Sequence, residues 1–354
     1  MRRAGRVNLL HVCAVLLILL SVLPFGLTST QRLGVSVKRP IGDSRVVARL
    51  PATPGYPEGI AVRGQRIYVA TAARFGTCCL PPPGPPEVQV FDLRSGQLKK
   101  RIAIVDKTAG QDHGLSGLAF DAAGRLYVLD TQWGIVRFDP STAPVTINPA
   151  TDSSFLYASA FPDLLPCTPL TPAPCSPTLV NAPPLPNDIV FDAAGNAYVT
   201  DSLQATIWRV QPNSGAPEVW FQDERLGGGF GVNGIRLDPT RTALYFTVTA
   251  DSLAQGVVYA LPLAAPSDAN LEPVHVYTTA EAPDNLAFGE SGNLYVALAG
   301  SNQISVLGPG GAELTRHSGP ARSAMGDVPY DMPSGVAFDH SGALLPCRDA
   351  EGRS

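Results

Sequence analysis

Four oxygen-bearing side chains, Glu58, Asn187, Asn233 and Asp284, occupy one position of a sentence that the chain repeats. Each stands just before a short apolar run: PEGIAVRGQRIYVAT from Pro57, PNDIVFDAAGNAYVTDS from Pro186, VNGIRLDPTRTALYFTV from Val232 and PDNLAFGESGNLYVAL from Pro283. Two more copies, LSGLAFDAAGRLYVLD from Leu115 and PSGVAFDHSGALL from Pro333, carry Ser116 and Ser334 there. Carboxylate and amide oxygens converging on one point suit a hard cation such as calcium, which takes about six to eight oxygen ligands in flexible geometry. A single polar residue at a strand start ordinarily caps a turn. The same donor class at four equivalent positions points to a shared site, with calcium or another divalent cation as its occupant.

The elements that must position these residues follow from the repeat. Each copy reads as a strand, a tight turn and a second strand. In the third copy Gly195 sits where a short hairpin needs a positive φ. The ring positions are 58, 71, 46, 51 and 50 residues apart. A four-stranded propeller blade takes about 40 to 50 residues, so the two longer steps imply insertions. A second strand pair follows most cores, as in ATIWRV and PEVWFQ after the third. Short strands with Gly- and Pro-rich turns and little helical periodicity predict an all-β chain, a six-bladed β-propeller. If all six cores start at one face, their polar residues ring one mouth of the central channel.

The sixth copy lacks its second half. Two short strands (Gly335–Phe338 and Ala343–Leu345) are followed by PCRDAEGRS, which has Pro346 and no alternation. An open sheet edge there would be an aggregation hazard. The ring is therefore expected to be closed by N-terminal strands, a hairpin of Gly34–Lys38 and Arg45–Leu50, leaving the tail after Leu345 poorly ordered.

The heads EG, ND, NG and PD of successive inner strands resemble the regucalcin/gluconolactonase family, with paraoxonases and strictosidine synthases as distant relatives. The likeness spans roughly Pro54 to Leu345. It implies that Glu58, Asn187, Asn233 and Asp284 are the metal ligands and that Asp284 is also the general base. PDN is similar to the paraoxonase version, which implies that Asn285 joins the metal region. QDHGLSG is similar to a paraoxonase stretch that carries a catalytic histidine, which assigns that role to His113. The activity implied is calcium-dependent hydrolysis of a small-molecule lactone or related ester, with the carbonyl polarised by the metal. The alternative is a non-catalytic propeller that binds a ligand or protein around a structural calcium. A Ser-His-Asp triad has no support, because Ser116 lacks a nucleophile elbow.

Residues 1–30 read as a signal peptide: Arg2, Arg3 and Arg6 precede an apolar run from Leu9 to Leu27, then small residues. The alternative is an uncleaved anchor. Residues 31–354 then form one propeller, expected to be a secreted monomer with no membrane contact after cleavage. A net charge of −4 argues against nucleic acid. Export permits disulfides. Cys167 and Cys175 are expected to pair with each other, or with Cys78 and Cys79 in the first insertion. Trp133, Trp208 and Tyr259 are assigned to packing between blades, and Asp201 could support the metal site from behind.

Overall fold

The computed structural model describes residues 16–18, 44–51, 55–71, 84–178, 180–319, 330 and 332–348. Five sheets of at least four strands each follow one another, and a two-stranded sheet ends the series. The inner strands are Pro57–Arg63, Leu115–Phe120, Pro186–Phe191, Gly228–Leu237, Pro283–Phe288 and, in the two-stranded sheet, Pro333–Phe338. Each packs against the inner strands before and after it, and Pro333–Phe338 packs against Pro57–Arg63. The molecule is an all-β propeller with five complete blades. No helix among the described residues is long and apolar enough to cross a membrane.

Residue types repeat because contacts repeat. A Tyr in the second strand of one blade meets the Phe that ends the next inner strand. Tyr68–Phe120, Tyr127–Phe191, Tyr245–Phe288 and Tyr295–Phe338 have ring centroids 4.9, 4.6, 5.1 and 5.0 Å apart, mostly edge to face. Such pairs contribute roughly 0.5–1.5 kcal/mol beyond their buried area. Tyr198 departs from the pattern and packs on Trp220, because Leu237 stands where the next blade would supply its Phe. Trp208 is buried and donates Nε1–H to Asp201, consistent with a packing role.

The second insertion is structural. Thr146–Ile147 pairs in parallel with the outer strand of the first blade, and Leu156–Ala158 is the outer strand of the second. Beyond them Cys167 and Cys175 form a disulfide, with Cα atoms 5.0 Å apart. Most of the first insertion, residues 72–83, lies outside the described residues. Closing so short a loop stabilises by about 2–3 kcal/mol in the chain-entropy model. A Cys167→Ser/Cys175→Ser double variant should therefore unfold at lower urea with an unchanged slope, and an unshifted midpoint would refute this contribution.

The chain end differs from expectation. Leu344–Arg348 is a strand paired antiparallel with Pro333–Phe338, and it includes Pro346. Cys347 is fully buried and disulfide-bonded. Order therefore extends through Arg348, because burial of Leu345 and Cys347 outweighs the ladder bond that proline cannot donate. Residues 349–354 and the strand expected over 34–38 lie outside the described residues. So does the leader of residues 1–30, apart from Leu16–Ile18. That short strand pairs with Ser44–Val46 and lies alongside Leu344–Arg348.

Candidate functional site: a ring of oxygen donors at the channel mouth

Every inner strand carries a bulge at the residue that begins its repeated sentence. The pairing register slips between Pro57 and Ile60, Leu115 and Leu118, Pro186 and Ile189, Val232 and Ile235, Pro283 and Leu286, and Pro333 and Gly335. A bulge leaves residues out of the ladder and re-aims their side chains. Glu58, Ser116, Asn187, Asn233, Asp284 and Ser334 all fall inside these slips, one per inner strand.

The next residue is a glycine in four copies, and it sets how closely the inner strands approach. A Cβ on Gly59 would lie 2.4 Å from the Ser116 carbonyl oxygen, and one on Gly117 would lie 2.5 Å from the Cα of Asp188. A Cβ on Gly234 would lie 2.6 Å from the Cα of Asn285, and one on Gly335 would lie 2.8 Å from the Glu58 carbonyl oxygen. Threonines on the second strands lock the arrangement. Thr200 Oγ1 accepts the Asp188 N–H at 3.0 Å and donates to the Asn233 carbonyl. Thr247 Oγ1 accepts the Gly234 N–H at 2.9 Å and donates to the Asp284 carbonyl. Each hydroxyl ties its own bulge to the ring residue of the next blade.

Within the ring, Asn187 and Asn233 are buried while Glu58 and Asp284 keep partial access to solvent. Burial pushes the Asp284 carboxyl well above the usual range. The negative charges of Glu58 and Asp188 push it further, against a hydrogen bond from Asn233. The Asn233 side chain donates Nδ2–H to Thr249 at 3.0 Å, and its buried Oδ1 has no hydrogen-bond partner. A buried unpaired amide oxygen costs about 1–3 kcal/mol and calls for an explanation. An orphaned acceptor beside two mutually repelling carboxylates is a donor set that a divalent cation satisfies. Among the described residues no three His, Cys, Asp or Glu side chains group as a metal site, so the set depends on the asparagine amides.

Asn285 is committed elsewhere. Its Oδ1 accepts the Leu286 N–H at 2.7 Å, and its Nδ2 donates to Asp188 at 3.1 Å. Asp188 was not singled out from sequence. Buried beside the ring, it takes the Ile189 N–H at 2.9 Å, the Ile235 N–H at 3.0 Å and an ion pair with Arg236. Asn285 and Asp188 fill the position held by glycine in the other copies and meet across Gly234.

His113 does not fit the catalytic role expected of it. Its side chain is fully buried, with Nδ1 2.8 Å from Asp106 and Nε2 2.8 Å from Asp130. Burial alone would lower its pKa, but the hydrogen bonds and charges of Asp130 and Asp106 prevail and raise it. Both nitrogens are engaged, so His113 clamps the approach to the second inner strand. Ser116 is likewise occupied, donating Oγ–H to the Pro186 carbonyl at 2.7 Å.

Asp201 closes the second strand of the third blade, fully buried. Its carboxylate accepts N–H from Leu185 at 2.9 Å, from Leu203 and Gln204 at 3.2 Å each, and from Trp208 at 3.1 Å. Burial nevertheless raises its pKa from 3.8 to about 6, those four donors opposing. An acid whose folded pKa lies above its unfolded value favours the folded state most at low pH. That stability is lost as pH rises from about 4 to about 6, by on the order of 3 kcal/mol. Urea unfolding across this window in chelator should show the decline, and Asp201→Asn should remove it. An identical slope in the variant would exclude Asp201 as its source.

A family model described as SMP-30/gluconolactonase/LRE-like region matches residues 182–326, which contain the third to fifth blades. No curated protein matches the chain. Among solved structures, a gluconolactonase from Xanthomonas campestris superposes with a TM-score of 0.53 at 16% identity, over 99% of each chain. A calcium-binding regucalcin from Agrobacterium tumefaciens superposes at 0.52 and 14% identity, over 85% of this chain and 93% of that one. A virginiamycin B lyase from Staphylococcus aureus reaches 0.48 at 14% identity, over 83% of this chain and 95% of that one. Likeness at these identities establishes the fold alone.

Proposed function

We propose, from a chain whose residues 182–326 belong to the SMP-30/gluconolactonase/LRE-like family, that the protein is a calcium-dependent hydrolase of lactones or related esters. The observation that carries this reading is the orphaned, buried Asn233 Oδ1 beside the opposed carboxylates of Asp284 and Glu58. Glu58, Asn187, Asn233 and Asp284 would hold the calcium ion. Its chemistry there would be Lewis-acid polarisation of a substrate carbonyl. Asp284 would take a proton from the attacking water. Asn233 would orient Asp284 through its amide hydrogen bond, and the threonine ties would keep both backbones fixed.

The same reading takes Pro333–Phe338 and Leu344–Arg348 as a sixth blade completed by the N-terminal segment that follows the leader, whose Ala48 and Leu50 share one apolar cluster with Leu345 and Cys347. The aromatic pair Tyr295–Phe338 supports it, as does the Ser334 hydroxyl donating to the Pro57 carbonyl at 3.2 Å. Secretion is part of the proposal, supported by the Cys167–Cys175 disulfide.

The test is turnover of a panel of lactones and aryl esters by full-length protein, with calcium and with chelator. Turnover that chelator abolishes and calcium restores is expected. Turnover indifferent to chelator would sink the metal-dependent mechanism. Calcium binding without turnover of any panel member would favour the non-catalytic propeller with a structural calcium.

A further inference from the structure

Residues 105–114 lead from the first blade to the inner strand Leu115–Phe120, whose Leu115 and Ser116 border the channel mouth together with Glu58 and Thr131. Residues 107–112 are exposed, and none of the side chains from Asp106 to Asp112 is a large apolar one. Hydrogen bonds, not buried apolar surface, fasten this segment, and segments held in that way open at low free energy. Gln132 supplies several of the bonds. Its Oε1 accepts the Lys107 N–H at 2.7 Å and the Thr108 N–H at 2.9 Å, and its Nε2 donates to the Asp112 carbonyl at 3.0 Å. His113 supplies the rest, joining Asp106 on the segment to Asp130 at the end of the second strand.

The two carboxylates are not equivalent. Asp130 is fully buried, and its Oδ1 already accepts the Gln132 and Trp133 N–H groups at 2.9 Å each. Asp106 is partly exposed. An imidazolium donates from both nitrogens and satisfies both carboxylates, whereas a neutral imidazole has one N–H and turns a lone pair toward the other. Asp130 has no water to turn to and keeps the N–H, so the bond that fails is the one to Asp106. We propose that His113 is a proton-operated latch, which in its charged form fastens residues 105–112 beside the channel mouth and on losing its proton lets them go. This inference does not draw on the hydrolase reading. The charged groups around His113 are Asp106, Lys107 and Asp112 of the segment itself and Asp130 of the second strand. Lys107 Nζ lies over the Trp133 ring, 5.4 Å from its centre, and Glu58 of the first inner strand borders the mouth beside Leu115. Burial opposes the charge on His113, but the hydrogen bonds and charges of Asp130 and Asp106 outweigh it and raise its pKa above 6.5. A folded value above the unfolded one means that the latch holds fully below about pH 6.5 and weakens as pH rises through the folded value.

Amide hydrogen exchange from about pH 5.5 to 9, corrected for the intrinsic rate, tests the latch. Protection of residues 107–114 should be level below about pH 6.5, fall by up to about tenfold per pH unit above it, and level off once folded His113 is neutral. The fifth-blade strand Leu294–Leu298 should hold its protection throughout. Asp106→Asn should keep the segment protected into alkaline pH, because the introduced amide donates to the nitrogen that a neutral imidazole leaves bare. His113→Gln should leave protection low at every pH. Nitrogen NMR of His113 should show both ring nitrogens protonated in acid and Nε2–H alone in base, with a midpoint above 6.5. A midpoint below that value, protection of the segment that does not vary with pH, an equal loss in Leu294–Leu298, or an unaltered pH dependence in Asp106→Asn would each overturn the inference. Asp106→Asn leaves His113 and Asp130 in place, so the test stands even where His113→Gln fails to fold.

Discussion

Replacing Asp284 with Asn is expected to lower lactone turnover by about 10²- to 10⁴-fold, the span that a positioned general base supplies. The same variant should weaken calcium binding, since it removes one of the two carboxylates of the ring. Its fold should survive. The backbone at this position is held by Thr247, which donates to the Asp284 carbonyl and does not depend on the side chain. Removing the carboxylate also relieves its repulsion with Glu58 and Asp188. The expected signature is thus an unchanged β-rich circular dichroism spectrum, a melting temperature in chelator no lower than wild type, and a collapse of kcat. Wild-type turnover in calcium-saturated Asp284→Asn would remove this residue from the chemistry. Calcium affinity measured by calorimetry separates the two roles. If affinity falls and kcat at saturating calcium does not, Asp284 is a ligand only.

The second large effect is on stability. Arg236→Met should destabilise the protein by about 3–5 kcal/mol, because it leaves the Asp188 carboxylate buried without its cation. Asp188 would retain N–H donors from Ile189, Ile235 and Asn285, which neutralise a charge less well than a guanidinium. The double variant Asp188→Asn/Arg236→Met removes the stranded charge and should recover part of the loss. Chemical unfolding of the single and double variants decides it. A double variant as unstable as the sum of the two singles would mean that the pair is not coupled.

The propeller was legible because its signals are local and repeated. The Tyr and Phe that meet between blades stand at fixed places in most copies, and Gly195 has the positive φ of 84° that its turn requires. The ring position was legible for the same reason. What escaped was whatever depends on a break in the pattern. Strict alternation sends Asn187 and Asp188 to opposite faces, but the bulge at Pro186 suspends alternation and leaves both beside the channel. A signal did exist, since Asp188 and Asn285 stand where the other four copies have glycine. The clamp on His113 was illegible because Asp106 and Asp130 lie 7 and 17 residues away with no motif linking them. Thr146–Ile147 and Leu156–Ala158 are too short to show a period, and packing against a neighbouring sheet defines them.

The bulges imply that the mouth of the channel reads length more strictly than identity. Each ring residue reaches its place because its strand holds one residue more than its partner over the same span. Deleting a single residue between Pro186 and Ile189, or between Pro283 and Leu286, would restore even pairing and turn the oxygen donor away from its companions. An Asn-to-Asp exchange at Asn187 keeps an oxygen on the axis. Among natural or selected variants, the six segments from ring residue to hairpin should therefore reject insertions and deletions, while a ring position that exchanges one oxygen-bearing side chain for another keeps its place. Variation in length should collect instead between blades, as it does in residues 141–185.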